Sequence, residues 1–195
     1  RTFAIDYRMA PDHPYPAALD DCVAVYRALL GRFPAERIVV DGGSAGGNLV
    51  AALLVRAHDE GLPMPAAAML FTPELDLTES GDTFDVLHGV DVVLVQRLTD
   101  TIALYADGHD LTHPYLSPLF ADVAGFPPTF LQAGTRDLFL SNTVRMHRKL
   151  RAAGVDAELH VWEAMPHGGF AGAPEDLEVR IEMRRFLDKH RRAAS

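Results

Sequence analysis

The stretch Gly42-Gly43-Ser44-Ala45-Gly46 constrains this chain most, because a Gly-x-Ser-x-Gly run stands there between a strand-like and a helix-like segment. Ile38-Val39-Val40 is short and β-branched, with Pro34 upstream and glycines downstream. Beyond the glycines, Leu49, Val50, Leu53 and Leu54 recur at helical spacing as far as about Glu60. A serine at such a junction sits on a sharp strand-to-helix turn, a nucleophile elbow, and projects its hydroxyl only if its neighbours are small. Gly46 and Gly47 fall in the expected first helical turn, where each costs roughly 1 kcal/mol relative to alanine. A local preference broken twice at one spot points to function. The elbow backbone of Gly43, Ala45 and Gly46 then becomes the expected oxyanion side of the site, with the N–H of Ala45 foremost.

Strand-like and helix-like patterns alternate along the rest of the chain, which predicts an α/β fold with a mostly parallel sheet and helices on both faces. The pattern predicts strands over 2–7, 38–42, 66–72, 129–134 and 157–163. It predicts helices over about 16–31, 45–60, 91–106, 141–153 and 174–191, with Gly154 as a C-terminal cap. Residues 73–90 carry no clear period and read as a loop. The apolar run Val92-Val93-Leu94-Val95, continued by Leu98, Ile102 and Leu104, reads as core, or failing that as a pocket wall for an apolar substrate group.

The chain has 195 residues, 48% of them hydrophobic and 23% charged, as expected of one globular domain. A formal net charge of −9 argues against nucleic-acid or anionic-membrane partners, which reward clustered lysine and arginine. Arg184, Arg185, Lys189, His190, Arg191 and Arg192 read instead as a solvated helix end, where cations complement the dipole. Cys22 is the single cysteine; it reads as a small core residue, and cytoplasm is the default compartment. No apolar run approaches the roughly 20 residues of a spanning helix.

A serine hydroxyl needs a base to take its proton and a third group to hold that base in the right tautomer. His167 lies in the glycine-rich Pro166-His167-Gly168-Gly169-Phe170 stretch directly after the last predicted strand, and Asp137 holds the equivalent place after the strand before it. Such strand-end loops are where parallel sheets build sites. Asp156 and Glu163 are rival acids, and Arg136 offers Asp137 an ordinary loop ion pair. Leu138, Phe139 and Phe170 flank these loops as candidate substrate contacts. His109 and His113 are four apart, but Gly108 and Pro114 bracket them, which argues against the one-faced helical metal site that such spacing can make. Nothing in the sequence calls for a cofactor.

Ser44, Asp137 and His167 come in the chain order serine, acid, histidine, and with the Asp6-Tyr7-Arg8 block and the elbow over 42–49 the chain resembles the hormone-sensitive-lipase-like branch of bacterial α/β-hydrolase esterases. Asp6-Tyr7-Arg8-Met9-Ala10-Pro11-Asp12-His13-Pro14-Tyr15-Pro16-Ala17-Ala18 is similar to that family's Asp-Tyr-Arg-Leu-Ala-Pro-Glu-His-Pro-Phe-Pro-Ala-Ala block. Gly42 through Leu49 resembles its Gly-Asp-Ser-Ala-Gly-Gly-Asn-Leu elbow. Ser117-Pro118-Leu119, Pro127-Pro128 and the His-Gly loop follow in the family's order. The resemblance implies an α/β-hydrolase fold and a cofactor-independent serine hydrolase of small-molecule esters with short to medium acyl chains. Ser44 would be nucleophile, His167 base and Asp137 acid. A homodimer through the last strand and final helix is a further family-level expectation.

The departures are specific. Gly43 stands where the family carries an acidic or polar residue, Asp-Pro-Leu around the acid becomes Asp137-Leu138-Phe139, and His-Gly-Phe has gained a glycine. Nothing matches the His-Gly-Gly-Gly segment whose N–H groups supply part of the oxyanion hole, and the chain opens at Arg1 without an initiating methionine. One lost oxyanion donor costs roughly 10²–10³ in turnover. The expectation is therefore a single α/β-hydrolase catalytic domain over 1–195, truncated at its N-terminus and lacking the cap and oxyanion-loop segments of the same protein. The absent segment leaves room for a non-catalytic ligand-binding protein on the same fold, while amide cleavage or acyl transfer would use the same hydrolase machinery.

Overall fold

The computed structural model describes residues 1–193, the side chains of 191–193 excepted, so those of Arg191 and Arg192 lie outside the described residues. Four parallel strands pair in chain order: β1 (Val39–Gly43), β2 (Ala67–Phe71), β3 (Thr129–Gly134) and β4 (Ala157–Trp162). The register sets Val39 opposite Ala67, Ala68 opposite Thr129, and Thr129 opposite Ala157. Parallel neighbours require crossovers, supplied by α2 (Ala45–Asp59) between β1 and β2 and by α5 (Leu140–Ala152) between β3 and β4.

Alternation along the strands sends successive residues to opposite faces. Ala68, Leu70 and Leu131 pack with Leu54 of α2 and Met146 and Leu150 of α5. On the other face Ala67, Met69 and Phe130 meet Phe186 of α6 (Pro174–Ala193). Helix α1 (Ala17–Leu30) covers α2 through Leu19, Cys22, Val23 and Tyr26 against Leu49 and Leu53. Cys22 is a core residue, and burial pushes its thiol up to about 11. Among the described residues no helix is long and apolar enough to cross a membrane.

Four sequence expectations are corrected. Residues 2–7 form no strand; Ile5 and Tyr7 lean on the α1–α2 cluster instead. A strand exists only with a ladder partner, and the outer edge of β1 carries none among the described residues. Val39, on the α6 face of β1, is consequently 39% exposed. The expected helix over 91–106 is helical only as α4 (Thr99–Ala106), and a short α3 (Thr83–Val86) stands inside the expected loop. Asp91 Oδ1 accepts the N–H groups of Val93 and Leu94 at 2.9 and 3.2 Å, the bonding of an Asx turn or N-cap, yet the chain stays irregular from there to Thr99. The valines that follow lie outside the core, with Val92 76% and Val93 56% exposed, whereas Ile102 of the same run is buried with Ala106 and Leu116.

Candidate active site

Ser44 is the residue between β1 and α2, at φ 53° and ψ −123°. Gly42 makes the turn possible, because a Cβ there would overlap the carbonyl of Gly46. The Ser44 N–H donates to the Phe71 carbonyl at 2.9 Å, and the Ser44 carbonyl accepts the Asn48 N–H at 3.1 Å. Buried Asn48 in turn donates through Nδ2 to the carbonyls of Glu74 and Leu116, both at 2.8 Å, tying the first turn of α2 to two loops. The N–H of Ala45 lies in that turn, where donors have no intrahelical acceptor.

Asp137 follows β3 and is 0% exposed. Its Oδ1 accepts the Phe139 N–H at 3.0 Å and lies 3.0 Å from Nδ1 of His167, while Oδ2 has no hydrogen-bond partner among the described residues. His167 follows β4, 7% exposed, with Nε2 2.9 Å from Ser44 Oγ. The loops after β3 and β4 are stitched together by Arg136 N–H to the Met165 carbonyl at 3.1 Å and by Ala164 N–H to Thr135 Oγ1 at 2.7 Å. The Phe139 ring meets the imidazole edge-on, centroids 5.0 Å apart. An imidazole so placed can take the serine proton through Nε2 while Nδ1–H stays on the carboxylate.

The extra glycine of the histidine loop has a geometric reason. Gly169 sits at φ 109°, and a Cβ there would come 2.9 Å from Asp176 Oδ1. The Asp176 carboxylate accepts the N–H groups of Phe170 and Gly172 at 2.9 and 2.6 Å, which hold its pKa below the usual carboxylate range.

Two of the expected substrate contacts are corrected. Leu138 and Phe139 are 0% exposed and pack with Phe84, leaving them no surface to offer a ligand; Phe170 is half-buried. The rival acids lie elsewhere: Asp156 pairs with Lys189 at 3.0 Å, and Glu163 is exposed. His109 Nδ1 faces the Ala106 carbonyl and His113 Nδ1 accepts the Tyr115 N–H. Among the described residues no group of three or more His, Cys, Asp or Glu could hold a metal ion.

Sequence reasoning missed four buried carboxyl groups, Glu74, Asp76, Glu79 and Asp91, of which Asp91 and Glu74 adjoin the site. Asp91 touches both catalytic-side loops, and its signal was an acid heading an apolar run. Glu74, next to the elbow, is 7% exposed; burial first, then the charge of Glu79, pushes its carboxyl up to about 7, and its Oε1 has no partner among the described residues.

This elbow on a parallel sheet, with an acid and a histidine on the last two strand-end loops, is the arrangement of an α/β-hydrolase. The sequence profile described as alpha/beta hydrolase fold matches residues 1–171, and the chain belongs to that family. It is 32% identical over 169 residues to an acetyl-hydrolase of Streptomyces hygroscopicus, covering 84% of this chain and 56% of that protein. The crystal structure of esterase E25 superposes with a TM-score of 0.92 at 44% identity, over 95% of this chain and 58% of E25. An esterase from the bacterial hormone-sensitive lipase family gives 0.89 at 37% identity, over 97% of this chain and 65% of that one. The chain thus spans between about half and two thirds of the proteins it matches.

Proposed function

We propose that this chain is the catalytic portion of a serine carboxylesterase acting on esters of short to medium acyl chains. The observation that carries the reading is the continuous relay from Ser44 Oγ through His167 Nε2 and Nδ1 to Asp137 Oδ1, with contacts of 2.9 and 3.0 Å. Ser44 attacks the ester carbonyl as His167 accepts its proton, and the Ala45 N–H faces the developing oxyanion. His167 then protonates the leaving alcohol while Asp137 stabilises the imidazolium. Water repeats the sequence to release the acid. The acetyl-hydrolase relative supports small acyl groups.

The remaining oxyanion donors, on this reading, come from a segment of the same protein that packs on the open edge of β1. The exposure of Val39 on a strand that this fold family buries on both faces supports that assignment. The test is fluorophosphonate labelling of the folded protein against Ser44→Ala, with turnover of p-nitrophenyl acetate measured for the chain alone and for the product of the longer coding sequence. Labelling lost in Ser44→Ala, and turnover raised roughly 10²–10³-fold by the added segment, is the expected result. A folded protein that neither labels nor turns over ester is a ligand-binding protein instead.

A further inference from the structure

Asp91 is 0% exposed, yet no lysine or arginine pairs with it among the described residues. Its carboxylate is satisfied by main-chain N–H groups. Oδ1 accepts those of Val93 and Leu94 at 2.9 and 3.2 Å and, more loosely, that of His167 at 3.4 Å. Oδ2 accepts that of Leu138, the residue after the acid, at 2.9 Å. One buried side chain therefore binds the backbone of the histidine loop and the backbone of the acid loop, and anchors both to a third segment.

We propose that Asp91 is a positioning residue of the site, setting the separation of His167 and Asp137 through their backbones. The inference rests on the esterase reading, which gives that separation its importance. The imidazole must meet a hydroxyl and a carboxylate at once, and rotamers alone cannot hold both contacts if the two loops drift. A misplacement of about 1 Å costs up to 10²-fold in rate. Only a carboxylate suits the place, because acceptors are needed on both oxygens. In Asp91→Asn the amide oxygen keeps the three donors at the Oδ1 site, and the NH2 group then faces the Leu138 N–H, donor against donor. The acid loop is released while the histidine loop stays bound.

Three measurements test this. In Asp91→Asn, kcat on p-nitrophenyl acetate falls about 10- to 100-fold with KM nearly unchanged. The far-downfield proton resonance of the His167 Nδ1–H bond to Asp137 weakens or moves upfield while the thermal transition remains cooperative. In the unsubstituted protein, the amides of Leu138 and His167 exchange with solvent as slowly as those of the surrounding core strands. The last measurement needs neither turnover nor a folded variant. Rapid exchange at Leu138 and His167 overturns the proposal, as does a folded Asp91→Asn with wild-type kcat and an unaltered downfield signal. A wild-type protein without turnover would sink the esterase reading, while exchange and resonance would still decide the placement of the loops.

Discussion

Asp137→Asn separates the charge of the acid from its role in orienting the imidazole. Oδ1 serves two donors, the Phe139 N–H and the His167 Nδ1–H, each at 3.0 Å, while no donor among the described residues reaches Oδ2. The Phe139 N–H can be satisfied only by oxygen, so the amide oxygen remains at the Oδ1 site and the NH2 group takes the empty side. The imidazole then keeps its Nδ1–H bond and the tautomer that leaves Nε2 free to take a proton. What disappears is the charge opposite the imidazolium. At 3.0 Å and an effective dielectric of about 20, that pair is worth roughly 5 kcal/mol. Charge-assisted bonds are about twice as strong as neutral ones. The amide therefore keeps about half of the interaction, and the loss of roughly 2.5 kcal/mol lowers kcat by about 10²-fold. The assay is kcat for p-nitrophenyl acetate in the wild type, Asp137→Asn and Asp137→Ala, with thermal unfolding to confirm the fold. A loss near 10⁴ would show that the tautomer has inverted and that the Phe139 N–H does not pin the amide. A loss below about threefold would remove Asp137 from the mechanism.

Glu74 makes stability depend on pH. Its folded-state pKa is raised from 4.5 to about 7, so the folded chain holds a proton that the unfolded chain releases; the resulting stability is full below about pH 4.5 and is lost as pH rises through 7, a change of roughly 3 kcal/mol. Urea unfolding of Glu74→Gln should lack that slope relative to the wild type, and parallel pH dependences would refute it. Gly42→Ala should destabilise by about 1–3 kcal/mol, because its Cβ overlaps the backbone carbonyl of Gly46. Gly43→Ala, whose Cβ would rest 3.6 Å from the Phe71 carbonyl, should stabilise by about 0.4–1 kcal/mol; thermal melts showing equal effects at the two positions would contradict the elbow geometry.

The elbow was legible in sequence because its demands are local. A positive-φ serine needs small residues within two positions, and the composition of residues 42–47 records that need directly. The acid and histidine could be placed because parallel strands deliver their chemistry at carboxyl ends, so finding β3 and β4 located both residues. Asp91 obeys no such rule. Its donors come from positions 93, 94, 138 and 167, and no spacing announces that those N–H groups converge on one carboxylate. Leu138 and Phe139 failed as substrate contacts because proximity in sequence to an acid does not fix side-chain direction. The chain turns there into α5 and buries both against Phe84. Residues 2–7 have the composition of a strand, but pairing is a property of two segments, and only one of the two could be read from them.

The two halves of the site are built differently, and the difference follows from the sheet. The acid and histidine stand on β3 and β4; their loops are bonded to one another through Arg136 and Ala164, and both are bonded to Asp91. That half is enclosed, so the electrostatics of the relay operate away from water, where they are strongest. Ser44 directly follows β1, the strand whose outer edge has no ladder partner among the described residues, and its neighbours Gly43 and Ala45 are exposed. On the proposed mechanism, activation of the hydroxyl draws on the enclosed half, whereas stabilisation of the oxyanion draws on groups around the exposed one. Proton transfer and oxyanion stabilisation are, on that mechanism, separable. Substitutions at Asp91 and Asp137 should therefore slow the first step and leave the second unchanged.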